Sequence, residues 1–146
     1  MQTSTEMQLT RAADYAVRVM VHLAALPPGT RTSRTELAEA ASCPEQFLSK
    51  VLQNLTRAGL VASHRGNTGG FELPETQRSA SVLDVVEAIE GPTHLNLCLG
   101  GDGGCTRQAS CPTYDVWVQA QRAMTEVLRA TAIDELARKT APAPQL

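Results

Sequence analysis

Three of the four cysteines fall within fourteen residues, CLGGDGGCTRQASC, where Cys98, Cys105 and Cys111 are spaced C-x6-C-x5-C and interleaved with four glycines. Thiolates bind soft metals and iron-sulfur clusters, and glycine lets a backbone wrap closely around an inorganic core, so this loop suits a cluster. Zinc fits less well, because structural zinc sites usually bring cysteines in pairs two to four residues apart. Disulfide formation competes for the same thiols. The first nine residues are polar, without a basic start followed by an apolar run, so a reducing, cytoplasmic setting is expected. Free thiols in a loop are the bland alternative. The fourth cysteine, Cys43, lies in a turn and reads as a small buried residue.

A second set of groups is polar rather than metal-binding. Over 44–58 the apolar positions are Phe47, Leu48, Val51, Leu52 and Leu55, which leaves Gln46, Ser49, Lys50, Gln53, Asn54 and Arg57 on the outer face of a helix. Amide, hydroxyl and cation together can pair with base edges in a major groove, although a solvated helix would carry the same residues. Shortly afterwards comes HRGNTGG, residues 64–70, a Gly-rich connection with Arg65 near its tip. Between two short alternating segments, 60–63 and 71–73, it reads as a hairpin that could lay a cation along phosphates or into a minor groove.

The elements that must position these groups follow from patterning. A 146-residue chain is long enough for one cored domain, or for a small domain plus an oligomerisation element. Its longest apolar stretch, 12–26, is broken by Asp14, Arg18 and His22, so no membrane span is expected. Net charge is −2, yet residues 1–70 carry seven Lys/Arg against five Asp/Glu and residues 71–146 carry six against ten. The basic half is the candidate for a polyanion, and the excess is too small to prove it. A first helix is expected after Leu9 with Thr10 as cap, and Asp14 and Arg18 pair on its outer side. Ser33 to Glu36 reads S-R-T-E, a capping box that opens a second, two-turn helix, and Pro44 stands at the first position of the third. Ser81 to Asp84 repeats the cap signature before a fourth helix that ends at Gly91-Pro92. One long final helix over 112–139 carries more apolar surface than a small domain can cover, and a homodimer is the natural remedy; the alternative is that it covers the first helix for part of its length. The expected fold class is therefore mainly α with a small β-wing: a winged helix-turn-helix over 9–91, a cysteine loop over 92–111 and a dimerisation helix over 112–139. No Ser/His/Asp set, phosphate loop or paired acid site is present, so an enzyme is not expected.

With these pieces in place the chain resembles the Rrf2 family of bacterial winged-helix regulators, across most of residues 9–138. The most specific stretches are LTRAADYAVRVMVHLA, EQFLSKVLQNLTRAGLVASHRGNTGGFEL and the three-cysteine loop. The resemblance implies a dimeric repressor or activator that binds an operator in double-stranded DNA, with affinity set by a 2Fe-2S or 4Fe-4S cluster sensing nitric oxide, redox state or iron-sulfur status. Cys98, Cys105 and Cys111 match the family's cluster cysteines, with a first gap of six residues where five is common. IscR-like members carry a histidine three positions after the third cysteine, where this chain has Tyr114. NsrR-like members can use an aspartate on the first helix, and Asp14 falls at that place, so the resemblance implies Asp14 as fourth ligand, from the same or the partner subunit, with His94 and Asp102 in reserve. The matching DNA-binding positions are Gln46, Ser49 and Lys50 on the reader and Arg65 on the wing; Ser49 replaces a glutamate of IscR-like members, which implies a different operator. A metal-free thiol/disulfide switch on the same scaffold and a small iron-sulfur carrier are the alternatives.

Overall fold

The computed structural model describes residues 10–67, 69–92 and 112–140. Their order is α1 (Arg11–Ala24), α2 (Arg34–Ala41), α3 (Glu45–Arg57), β1 (Ala62–His64), β2 (Gly70–Glu72), α4 (Val82–Glu90), α5 (Tyr114–Ala130) and α6 (Ile133–Thr140), with a 3-10 turn at Glu75–Gln77. The described residues are thus mostly helical with one small antiparallel sheet, as the patterning predicts.

Helix α1 forms the centre of the core. Thr10 caps it by accepting from the Ala13 amide at 3.2 Å, and Ala13, Ala16, Val19, Met20, Leu23 and Ala24 are buried at helical spacing. That face packs against α2, α3, α4 and α6. At its other end of the sequence, α4 is opened by the predicted box: Ser81 Oγ accepts from the Asp84 amide and Asp84 accepts from the Ser81 amide, both at 3.0 Å. Its last residue, Glu90, accepts from the Thr10 amide at 2.8 Å and from the Thr10 hydroxyl, which places a carboxylate at the positive end of α1.

The single helix expected over 112–139 is two helices. Thr131 is extended, with φ −102° and ψ 114°, and residues 131–133 turn their backbone toward 80–82 instead of continuing the helix. The Val82 amide donates to Thr131 O at 2.9 Å and the Ile133 amide to Ala80 O at 2.8 Å, an antiparallel bridge across Ser81 and Ala132. Helix α6 then returns to α1 and buries Ile133 completely, a side chain worth roughly 1.5–3 kcal/mol of apolar burial. Arg78 reinforces the same corner. Its Nη atoms donate to Ala24 O at 2.9 Å and Leu26 O at 3.1 Å, at the end of α1, and Asp134 of α6 lies 3.9 Å from Nη1.

Candidate nucleic-acid interface

Two short helices joined by a tight turn set the reader. Ser33 Oγ accepts from the Glu36 amide at 3.1 Å while the Glu36 carboxylate accepts from the Ser33 amide at 3.2 Å, completing the box that starts α2. Ser42 ends α2 in the left-handed region, φ 54° and ψ 47°, and the Cys43 amide closes the turn on Ala38 O at 2.9 Å. Cys43 is buried as expected, and desolvation raises its thiol pKa, so it is a poor nucleophile. Glu45, in the first turn of α3, receives Arg34 Nε at 3.3 Å and Thr35 Oγ1 at 3.1 Å, a strap from the start of α2 to the start of α3. Both partners of the ion pair are about half exposed, so it contributes geometry more than stability.

Leu48, Val51, Leu52 and Leu55 form the buried stripe of α3. Gln46, Lys50, Gln53 and Arg57 are exposed opposite it, with Ser49 and Asn54 half-buried at its edges. Gln46, Ser49 and Lys50 stand three and four residues apart and so share one side of a single turn. Ser49 Oγ donates to Glu45 O at 3.3 Å, which leaves its lone pairs as acceptors, and Arg57 Nη1 donates to Asn54 Oδ1 at 3.3 Å, which leaves the Asn54 amide nitrogen as donor. Phe47 departs from expectation. Grouped by sequence with the apolar set, it is 36% exposed, its ring set edge-on to Tyr15 of α1 with centroids 5.5 Å apart and planes at 82°. The reason is angular: at 100° per residue Phe47 lies roughly 90° away from the centre of the leucine stripe.

Behind the reader stands the wing. β1 and β2 pair with Ala62 opposite Glu72 and His64 opposite Gly70, each strand reaching one residue further toward the turn than the alternation at 60–63 and 71–73 predicts. Thr32, just before the α2 cap, joins them by exchanging both backbone bonds with Phe71 at 2.9 Å. Gly70, with φ 131°, makes this approach possible, because a Cβ there would lie 2.9 Å from Thr32 O. The turn itself closes through the Gly69 amide on Gly66 O at 3.0 Å and presents Arg65 to solvent. On one face of the ribbon His64 Nε2 is 2.6 Å from Glu72 Oε1, a diagonal cross-strand pair, and Arg31 Nε is 3.7 Å from the same oxygen.

The metal donors predicted from sequence are placed less completely. Cys98, Cys105 and Cys111, with the reserves His94 and Asp102, lie outside the described residues. Asp14 stands in the first turn of α1, half exposed and 3.0 Å from Arg18 Nε, the ion pair that its spacing predicts. Among the described residues no group of three His, Cys, Asp or Glu side chains could hold a metal ion. By residue type the donors suit a cluster: three thiols within fourteen residues of sequence, and a carboxylate whose partner among the described residues is Arg18, in an exposed ion pair worth no more than about 1 kcal/mol.

Helix α5 differs from the others in burying no residue at all. Tyr114, Val118, Gln121, Thr125 and Leu128 lie half-buried on its α4 side, whereas Val116, Ala120, Ala123, Val127 and Ala130 are exposed. Those five recur at alternating intervals of four and three residues, the spacing of a coiled-coil seam, and Trp117 flanks them. No helix among the described residues is long and apolar enough to cross a membrane.

Comparison with known proteins places this arrangement. The family model described as Rrf2, an iron-dependent transcriptional regulator, matches residues 9–139. A Mycobacterium tuberculosis H37Rv protein carrying the name of an HTH-type transcriptional regulator is 37% identical over 137 residues, 93% of this chain and 84% of its own. The protein aau3 of Rhizobium meliloti is 38% identical over 134 residues, 90% of this chain and 86% of its own. Among solved structures, CymR, the global cysteine regulator of B. subtilis, superposes with a TM-score of 0.74 at 27% identity, covering 92% of this chain and 98% of that one. IscR of T. potens has the same fold, with a TM-score of 0.73 at 24% identity, covering 100% of this chain and 94% of that one.

Proposed function

The chain belongs to the Rrf2 family of transcriptional regulators, and from that premise we propose that it is a homodimeric DNA-binding repressor whose operator affinity is set by an iron-sulfur cluster. The observation that carries the DNA half is a reader helix with an exposed amide, hydroxyl and cation face followed directly in the chain by a glycine-turned ribbon that presents Arg65. Gln46, Ser49 and Lys50 meet base edges in a major groove; Lys50 pairs with guanine acceptors, and Ser49 accepts from an exocyclic amine. Arg65 neutralises a phosphate or enters the adjacent minor groove and adds affinity that does not depend on sequence. Residues 9–91 act as the reading unit, and the α5 seam pairs two copies.

Cys98, Cys105 and Cys111 would hold the cluster, of 2Fe-2S or 4Fe-4S type, with Asp14 as fourth ligand after release from Arg18. When bound, such a cluster supplies a centre that reacts with nitric oxide or oxidants and answers to iron-sulfur supply. Asp14 belongs to the helix on which the whole core is built, and Thr10, one turn before it, is tied to Glu90 at the edge of the cysteine loop. A donor taken from α1 would therefore act on the scaffold that orients α3. A metal-free switch, in which two of the three thiols close a disulfide, is the competing reading of the same loop.

Anaerobic purification and reconstitution test the proposal. Expected are a coloured protein with about two or four irons per chain and a change in operator affinity between loaded and stripped forms at matched salt. Iron-free, colourless protein whose affinity follows the thiol titre would replace the cluster with the disulfide switch; iron loading without any DNA binding would point to a carrier.

A further inference from the structure

Four large apolar side chains are exposed among the described residues, and three of them, Val116, Trp117 and Val127, belong to α5. The fourth, Phe47, is on a different element and cannot be part of that seam. It is the third residue of α3, flanked by Gln46 and one turn ahead of Lys50, on the part of a recognition helix that reaches base edges first. Its ring is not loose: the edge-on contact with Tyr15 holds it from the α1 side and leaves the remaining third of its surface beside an otherwise polar face. A major groove offers such a ring one apolar partner, the C5-methyl group of thymine.

We propose that Phe47 is a specificity-determining residue that recognises a thymine methyl next to the base pair met by Gln46 or Lys50. This rests on the DNA-reading function above. Phe47 accounts for a preference that hydrogen bonds cannot supply, because uracil and thymine offer the same acceptor in the groove and differ only in the methyl. Burying one methyl against a ring is worth roughly a threefold to tenfold change in affinity.

The test starts from duplexes selected out of a random pool by the full chain, with each selected thymine then replaced in turn by uracil. Expected is one thymine per half-site whose replacement weakens the wild-type protein about threefold to tenfold and leaves Phe47→Ala unaffected, with Phe47→Leu between them and all three proteins equal on a scrambled duplex. Thermal unfolding of the variants separates reading from packing; should Phe47→Ala not fold, the reduced thymine-over-uracil ratio of Phe47→Leu carries the test. Uracil replacement that costs wild type and variants equally, or costs none of them anything, overturns the role of Phe47 while leaving the DNA reader intact. A pool that yields no enriched sequence overturns the reader itself, and Phe47 with it.

Discussion

Helices α3 and α5 are both strongly amphipathic, yet they end up in opposite situations. In α3 four apolar side chains are buried within the chain, and the face left over is polar. In α5 none is buried, and the face left over is a seam of valine and alanine with a tryptophan beside it. A helix whose apolar stripe is already satisfied offers chiefly hydrogen bonds and charge to a partner, with the Phe47 ring at the edge of that face, which suits nucleic acid. One whose stripe is open asks for another apolar surface, which suits a second copy of the same helix.

The sharpest way to break this contrast is a charge in the α5 seam. Val127→Glu should raise the dimer dissociation constant about a thousandfold, roughly 4 kcal/mol, because pairing would bury a carboxylate from each copy. The dilute monomer should keep its unfolding free energy within about 0.5 kcal/mol, and sedimentation with thermal melts reads both; an unchanged dimer would remove α5 from the interface. Leu52→Ala should do the reverse. Truncating a buried residue of the α3 stripe costs about 2 to 5 kcal/mol of stability, measured by denaturant titration, whatever the oligomeric state. On the polar face the effects shrink and become specific. Lys50→Ala should lower discrimination at one base pair by about 1 to 3 kcal/mol, whereas Arg65→Ala should weaken all sequences alike and reduce the salt slope by about one. Operator-variant titrations that show the opposite assignment would reverse reader and wing. Smallest is Ser33→Ala, expected to cost about 1 kcal/mol through the lost α2 cap, without changing base preference.

Much of this was legible from residues because it rests on local chemistry. The Ser33 and Ser81 boxes, the Thr10 cap, the α3 leucine stripe and the glycine-turned hairpin each depend on side chains a few positions apart. What escaped depends on distant partners. Thr131 and Ala132 carry no helix-breaking signal, and the helix stops there only because Ala80 and Val82 offer backbone bonds from the far side of the domain. Thr32 joins the wing for the same reason, through Phe71. Phe47 could have been found: counting helical angle, rather than grouping apolar residues, puts it beside the stripe and not in it. For the cysteine loop, residue type indicated a metal but not a geometry, since glycine and cysteine carry no periodic pattern from which a path can be read.

The bridge of 131–133 onto 80–82, with Arg78 locked between the ends of α1 and α6, means that α5 leads directly into the rigid body that carries α3. In a pair of copies no slack linker then separates the seam from the reader. In the proposed homodimer the crossing angle of the two α5 helices would act as a calliper, and insertion of even one base pair between half-sites would be met by deforming the DNA rather than by stretching the protein.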